Sequence, residues 1–138
     1  MEQTKEVLDY SDLAQVRAYF ENDRFATNAG MKIDTMTEYG CICSMDLNEN
    51  HLNAIGAVMG GVMFTLADFA FAVASNRDHL PTVALDATIQ YLSSPKGKRL
   101  IATAERIKSG RTTGVFQVKI TDENGKAVAL YTVTGYKS

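Results

Sequence analysis

The chain has 138 residues and a formal net charge of −2, and 46% of its residues are hydrophobic. That length suits one domain over residues 1–138, with enough apolar side chains for a core. The near-balanced charge gives no global attraction to nucleic acid or to an anionic membrane surface.

The opening MEQTKEVLDY is charged and has no apolar run, so no signal peptide is expected. From Val7 to Phe20, apolar residues at Leu8, Leu13, Val16 and Phe20 follow helical spacing, with Ser11-Asp12 as a cap. This predicts a short amphipathic helix over about residues 7–20. Asn28-Ala29-Gly30 then marks a turn. Between Lys32 and Leu47 the pattern alternates loosely around Gly40, which predicts two strands joined near Glu38-Tyr39-Gly40. The cysteines, Cys41 and Cys43, fall two apart on one strand face, poorly placed to bridge each other. No CxxC or Cys/His cluster accompanies them, so they read as buried reduced thiols in a reducing compartment, with no metal site. Asn48 to Gly56 is polar and turn-rich.

Gly60 or Gly61 to about Asn76 reads as a helix rich in Ala, Leu, Met and Phe. It is apolar nearly all round, so it should be surrounded by protein. The stretch around it is long enough to span a bilayer, but Asp68 would then sit near mid-membrane at high cost. No positive cluster flanks it, and strand-like sequence follows. Four such runs come next: Thr82 to Leu92, Arg99 to Lys108, Gly114 to Thr121 and Ala127 to Tyr136. They are rich in Val, Ile, Thr and Tyr and are broken at SSPKGK, KSGRTTG and DENGK, the last with an Asn-Gly hairpin turn. Strands joined by short turns pair antiparallel, and one long apolar helix must lie against them. The class is α+β, a sheet curved around a central helix.

This layout, together with NAIGAVMGGVMFTLADFAFAVASN, resembles the hotdog-fold acyl-CoA thioesterases of the PaaI-like, phenylacetate-degradation type. Asn53, Gly56, Gly60, Gly61, Leu66, Ala67 and Asp68 match that family's motif in identity and spacing, and ALDATIQYLSSPKGKRLIATAERIKSGRTTGVFQV resembles the sheet that follows. One position departs from the motif: the family usually has histidine before the Gly-Gly pair, and this chain has Met59.

The resemblance implies hydrolysis of an acyl-CoA to free acid and CoA in the cytoplasm, with no cofactor besides the CoA of the substrate. Thioester hydrolysis needs a base or nucleophile, donors for the developing oxyanion and a pocket for the acyl group. Asp68 is the candidate base or nucleophile, and without a histidine beside the glycines the general-base route is favoured. Gly60 and Gly61, at a helix N-terminus, offer N–H groups that have no intrahelical partner. Asn53 corresponds to a family residue that orients water or the carboxylate; as a bare sequence feature it also fits a turn residue bonding its own backbone. His51 reads as surface or loop packing and His79 as the helix end. Lys96, Lys98, Arg99, Arg106, Lys108 and Arg111, with Gly110 and Thr112, are candidates to hold the phosphates of CoA. Phe64, Phe69, Phe71 and Met63 are candidates to line an acyl tunnel, although a buried helix needs most of its side chains as core.

Asp68 lies eight residues beyond Gly60, about 12 Å along one helix. A single thioester carbon cannot touch both, so a second subunit must bring its own helix alongside, antiparallel. The resemblance independently implies dimers, often dimers of dimers. Two other readings remain: a non-catalytic acyl-CoA binding module on the same fold, and a hydratase, for which the expected Asp/His pair is absent.

Overall fold

The computed structural model describes residues 8–138; Val7, the first residue of the expected N-terminal helix, lies outside them. Helix α1 runs Leu13–Phe20 and starts later than its apolar spacing suggests, because Asp12 is its cap and accepts from the N–H groups of Ala14 and Gln15. The side chains of Val16 and Phe20, four apart, are the buried face. A second, unexpected helix, α2 (Arg24–Asn28), ends at Gly30, whose φ of +94° reverses the chain.

Strands β1 (Lys32–Met36) and β2 (Gly40–Asp46) form the expected hairpin. A single 3-10 turn, Glu49–His51, precedes helix α3 (Gly60–Asp78), and β3 (Thr82–Tyr91), β4 (Arg99–Ser109), β5 (Thr113–Asp122) and β6 (Ala127–Lys137) follow. All pairings are antiparallel, in the order β1-β2-β4-β5-β6-β3. Strand β3 is therefore an edge strand with β6 as its neighbour, although it comes directly after α3 in the chain. It is mostly exposed, including Val83 and Leu85.

Helix α3 packs against β2, β3, β4, β5 and β6, so the sheet wraps around it. The inward residues of β4 are Leu100, Ala102 and Ala104, and those of β5 are Phe116, Val118 and Ile120. The alanines let the helix approach closely. Phe71 meets Phe116 edge to face at 5.6 Å, and Phe20 meets Phe69 at 6.4 Å, which ties α1 to α3. Cys41 and Cys43 are free and buried, with sulfurs 3.9 Å apart, and the Cys41 thiol donates to the Ala70 carbonyl. The contact with Cys41 and burial together push the Cys43 thiol well up, so it stays protonated.

At the C-terminal end of α3, Arg77 donates to the carbonyls of Thr37 and Glu38 in the β1–β2 turn. No described helix is long and apolar enough to cross a membrane. As expected, the sheet covers α3 on most sides and leaves one side open in the single chain. Gly61 and Asp68 are exposed, and Thr65 and Ala72 are only partly covered. These positions recur every three or four residues and so form a single open stripe along the helix.

Candidate active site

The N-terminus of α3 is shaped by the loop before it. Leu52 and Val58 form an isolated bridge, and Gly56 turns with φ +81°. The cap residue, Met59, gives no side-chain hydrogen bond. Its N–H donates to the His51 carbonyl and its own carbonyl accepts from Val62, while the N–H groups of Gly60 and Gly61 have no acceptor among the described residues. Two donors are thus left at the positive end of the helix dipole, a position that favours negative charge. The Tyr91 hydroxyl donates to the Gly60 carbonyl at 3.0 Å and fixes this first turn.

His51 belongs to the loop packing, not to the surface: it is 5% exposed. Its Nδ1 accepts from the Asn48 N–H at 3.0 Å, so Nε2 carries the proton and donates to the Ala29 carbonyl at 2.9 Å. The ring thereby ties the end of α2 to the loop that leads into α3. The Asn53 side-chain oxygen accepts from the N–H groups of Ile55 and Ala57, both at 3.1 Å. In the single chain its carbonyl is therefore committed to the loop. Its amide nitrogen has no acceptor among the described residues.

Asp68 lies on the open stripe, two turns beyond Gly61. One carboxylate oxygen accepts from the Tyr131 hydroxyl at 3.1 Å. Desolvation by the surrounding protein pushes the carboxyl above the usual aspartate range; the Tyr131 hydrogen bond opposes this and the charge of Asp23 adds to it. The side chain still reaches solvent in the single chain, so solvent screens part of the upward push. Tyr131 escaped the sequence reading because nothing local marks it; its hydroxyl on a buried strand position is the one available signal. Phe64 packs edge-on to Tyr131 at 5.3 Å, beside Asp68. Of the other tunnel candidates, Met63, Phe69 and Phe71 are core residues.

The residues expected to hold CoA fall into two separate groups. Lys96 and Lys98 line a cleft of about 420 Å³ between the loop before α3 and the β3–β4 loop, together with Leu52, Ile55 and Pro95. Arg106, Lys108, Gly110, Arg111 and Thr112 lie toward the other end of β4 or in the turn after it. Strand β4 spans about 30 Å at 3.3 Å per residue, so one protomer does not bring the two groups together. Arg106 is paired with Asp78 at 3.1 Å and lies over the Tyr39 ring. The Gly110 N–H donates to the Thr113 carbonyl within its own turn. Arg99 reaches Ser44 and Asp34. Among the described residues no cluster of three or more His, Cys, Asp or Glu side chains is placed to hold a metal ion.

The Thioesterase superfamily model matches residues 55–129, which hold α3, the open stripe and most of the sheet. The chain is 37% identical over 115 residues to the acyl-coenzyme A thioesterase PaaI of Escherichia coli (strain K12), covering 83% of this chain and 82% of that protein. The solved E. coli PaaI structure superimposes with a TM-score of 0.83 at 32% identity, covering 92% of this chain and 96% of that one. A hypothetical thioesterase solved with coenzyme A, from Streptococcus pneumoniae TIGR4, gives 0.79 at 28% identity over 86% of this chain and 96% of that one. The antiparallel sheet on one long helix, the Gly-Gly start of that helix and these matches agree. The chain belongs to the thioesterase superfamily, as a PaaI-like enzyme of hotdog fold.

Proposed function

We propose that the protein hydrolyses acyl-CoA thioesters to free acid and CoA in the cytoplasm, at sites shared by two subunits. The observation that carries this reading is the open stripe on α3. It holds a crowded carboxylate, Asp68, and, about two turns away, the N–H groups of Gly60 and Gly61, which have no acceptor among the described residues. Antiparallel pairing of two such stripes about a dyad near Thr65 sets Asp68 of one chain opposite the glycines of the other. The edge strand β3 supports the same arrangement, since its free edge and exposed Val83 and Leu85 suit pairing with a second β3. A dimer of dimers is the expected assembly. The relatives named acyl-coenzyme A thioesterase, and the coenzyme A bound to the S. pneumoniae protein, support the substrate class.

In this reading Asp68 takes a proton from water, and the resulting hydroxide attacks the thioester carbonyl. The oxyanion is held by the Gly60 and Gly61 N–H groups of the facing chain. The C–S bond then breaks, the electrons leave on sulfur and CoA takes up a proton. Asn53, through its amide nitrogen, helps orient the water or the carboxylate. No cofactor is required beyond the CoA of the substrate. Lys96 at its cleft takes a CoA phosphate from one side, and Lys108, Arg111 and Thr112 from the other. Arg106 and Gly110, already engaged, serve there through charge and turn shape. Met59 in place of histidine favours a second reading, a non-catalytic acyl-CoA binding module. A thiol-release assay over a panel of acyl-CoAs separates the two: turnover of some member is expected, and failure of all of them gives the lead to the binding module.

The shared site makes a further demand. Sedimentation should give a dimer or a multiple of it at assay concentrations, and activity should fall with dilution below the dimer's dissociation constant. A hydrolytically active monomer would refute the shared site. Gly61 offers a milder probe. A Cβ there would meet Met59 at 3.5 Å, an ordinary contact, so Gly61→Ala should fold normally. The methyl would intrude where the thioester oxygen must approach. A fall in kcat of at least about tenfold, with an unchanged melting temperature, is expected.

A further inference from the structure

We propose that Tyr131 is a positioning residue for Asp68, a buried phenol that holds one carboxylate oxygen and leaves the other for proton transfer. The inference rests on the reading of Asp68 as the catalytic base. Three observations carry it. Tyr131 is fully buried on β6, with its backbone paired to Val118 of β5 and Ile89 of β3, so its ring is held from both sides in the sheet. Phe64 packs edge-on against that ring at 5.3 Å and 89°. The hydroxyl donates to Asp68 Oδ1 from beneath the open stripe at 3.1 Å, while Oδ2 has no partner among the described residues.

An aspartate on an open helix face would otherwise rotate freely. A donor fixed in the sheet selects one orientation, with Oδ2 unbonded. The same bond sets the charge state. Crowding favours the protonated acid, which is useless as a base, and the bond to Oδ1 favours the carboxylate. The other charge acting on the group is Asp23, from the turn between α1 and α2, and it too favours the protonated form. Tyr131 is thus the neighbour that favours the ionised form of Asp68. Burial and the adjacent carboxylate push the phenol itself well up, so it remains a donor throughout the working pH range.

Tyr131→Phe keeps the ring and its contact with Phe64 and removes only the donor. The test is a carbon-13 NMR titration of the Asp68 carboxyl, assigned by its loss in Asp68→Asn, in wild type and in Tyr131→Phe. The midpoint should rise by about one pH unit, the scale of a hydrogen bond to a charged group. In the acyl-CoA assay the acid limb of kcat/KM should move up with it. On the plateau kcat should drop about tenfold, with KM within about twofold. An unchanged midpoint would overturn the inference even if Asp68→Asn is inactive. If wild type turns over no acyl-CoA, the functional reading falls, and the carboxyl midpoint still decides whether Tyr131 controls Asp68.

Discussion

Asparagine in place of Asp68 is expected to slow thiol release by at least about 100-fold, the usual scale for removal of a catalytic base. The substitution is nearly isosteric and keeps a carbonyl oxygen for the Tyr131 hydroxyl, so the geometry around it should survive. Stability should move the other way. The folded pKa of Asp68 lies above its unfolded value. The stability this carboxyl contributes is therefore fully present below the unfolded pKa and is lost as pH rises through the folded one. At neutral pH the ionised group is a liability, and asparagine lacks it. Thermal melts should place the variant at or slightly above wild type at pH 7, and the advantage should vanish as the pH falls toward 4. The gain should be modest, because solvent reaches the side chain. A variant that keeps most of its activity would remove Asp68 from the mechanism.

Gly40→Ala should produce the largest loss of stability, for a reason unrelated to chemistry. The sequence marks Gly40 as a turn residue, but it is the buried first residue of β2. A Cβ there would overlap the carbonyl oxygen of Ala104 and lie 2.6 Å from its carbonyl carbon. Both are backbone atoms of the neighbouring strand, paired at Gly40–Glu105 and Cys41–Ala104. No rotamer change relieves the clash, so β2 and β4 must separate. The cost should be about 3 kcal/mol or more, read as a lower denaturant midpoint. Gly97→Ala is the control: its Cβ would overlap the Glu123 carboxylate, the far end of a flexible side chain. That change should cost less than about 1 kcal/mol.

The long elements were legible because their periodicity is strong. α3 begins at the Gly-Gly pair as expected and runs to Asp78, β3 to β6 fall in the runs rich in Val, Ile, Thr and Tyr, and β1 and β2 follow the looser alternation of Ile33, Met36, Cys41, Cys43 and Met45. Helix α2 was not legible, since five residues show no period and only its terminal Gly30 gave a signal. Which face of a strand turns inward was harder still. On β4, Ile101 and Ile107 look like core, yet Ala102 and Ala104 occupy it, because the helix leaves room only for small side chains there. The separation of Lys96 from Arg111 was implicit in the length of β4, since an extended strand carries its ends far apart. The bond between Asp68 and Tyr131, 63 residues apart, follows only from the fold.

The strand order has a bearing on how the chain is made. β3 is synthesised before β4, but its partner, β6, is the last strand. On the ribosome, Thr82–Tyr91 must wait unpaired until residues 127–137 have emerged. For that interval an extended segment with exposed Val83, Leu85 and Tyr91 is available to other nascent chains. A stop codon even a dozen residues early would strip β3 of its neighbour for good, so the last strand is the one that closes the fold.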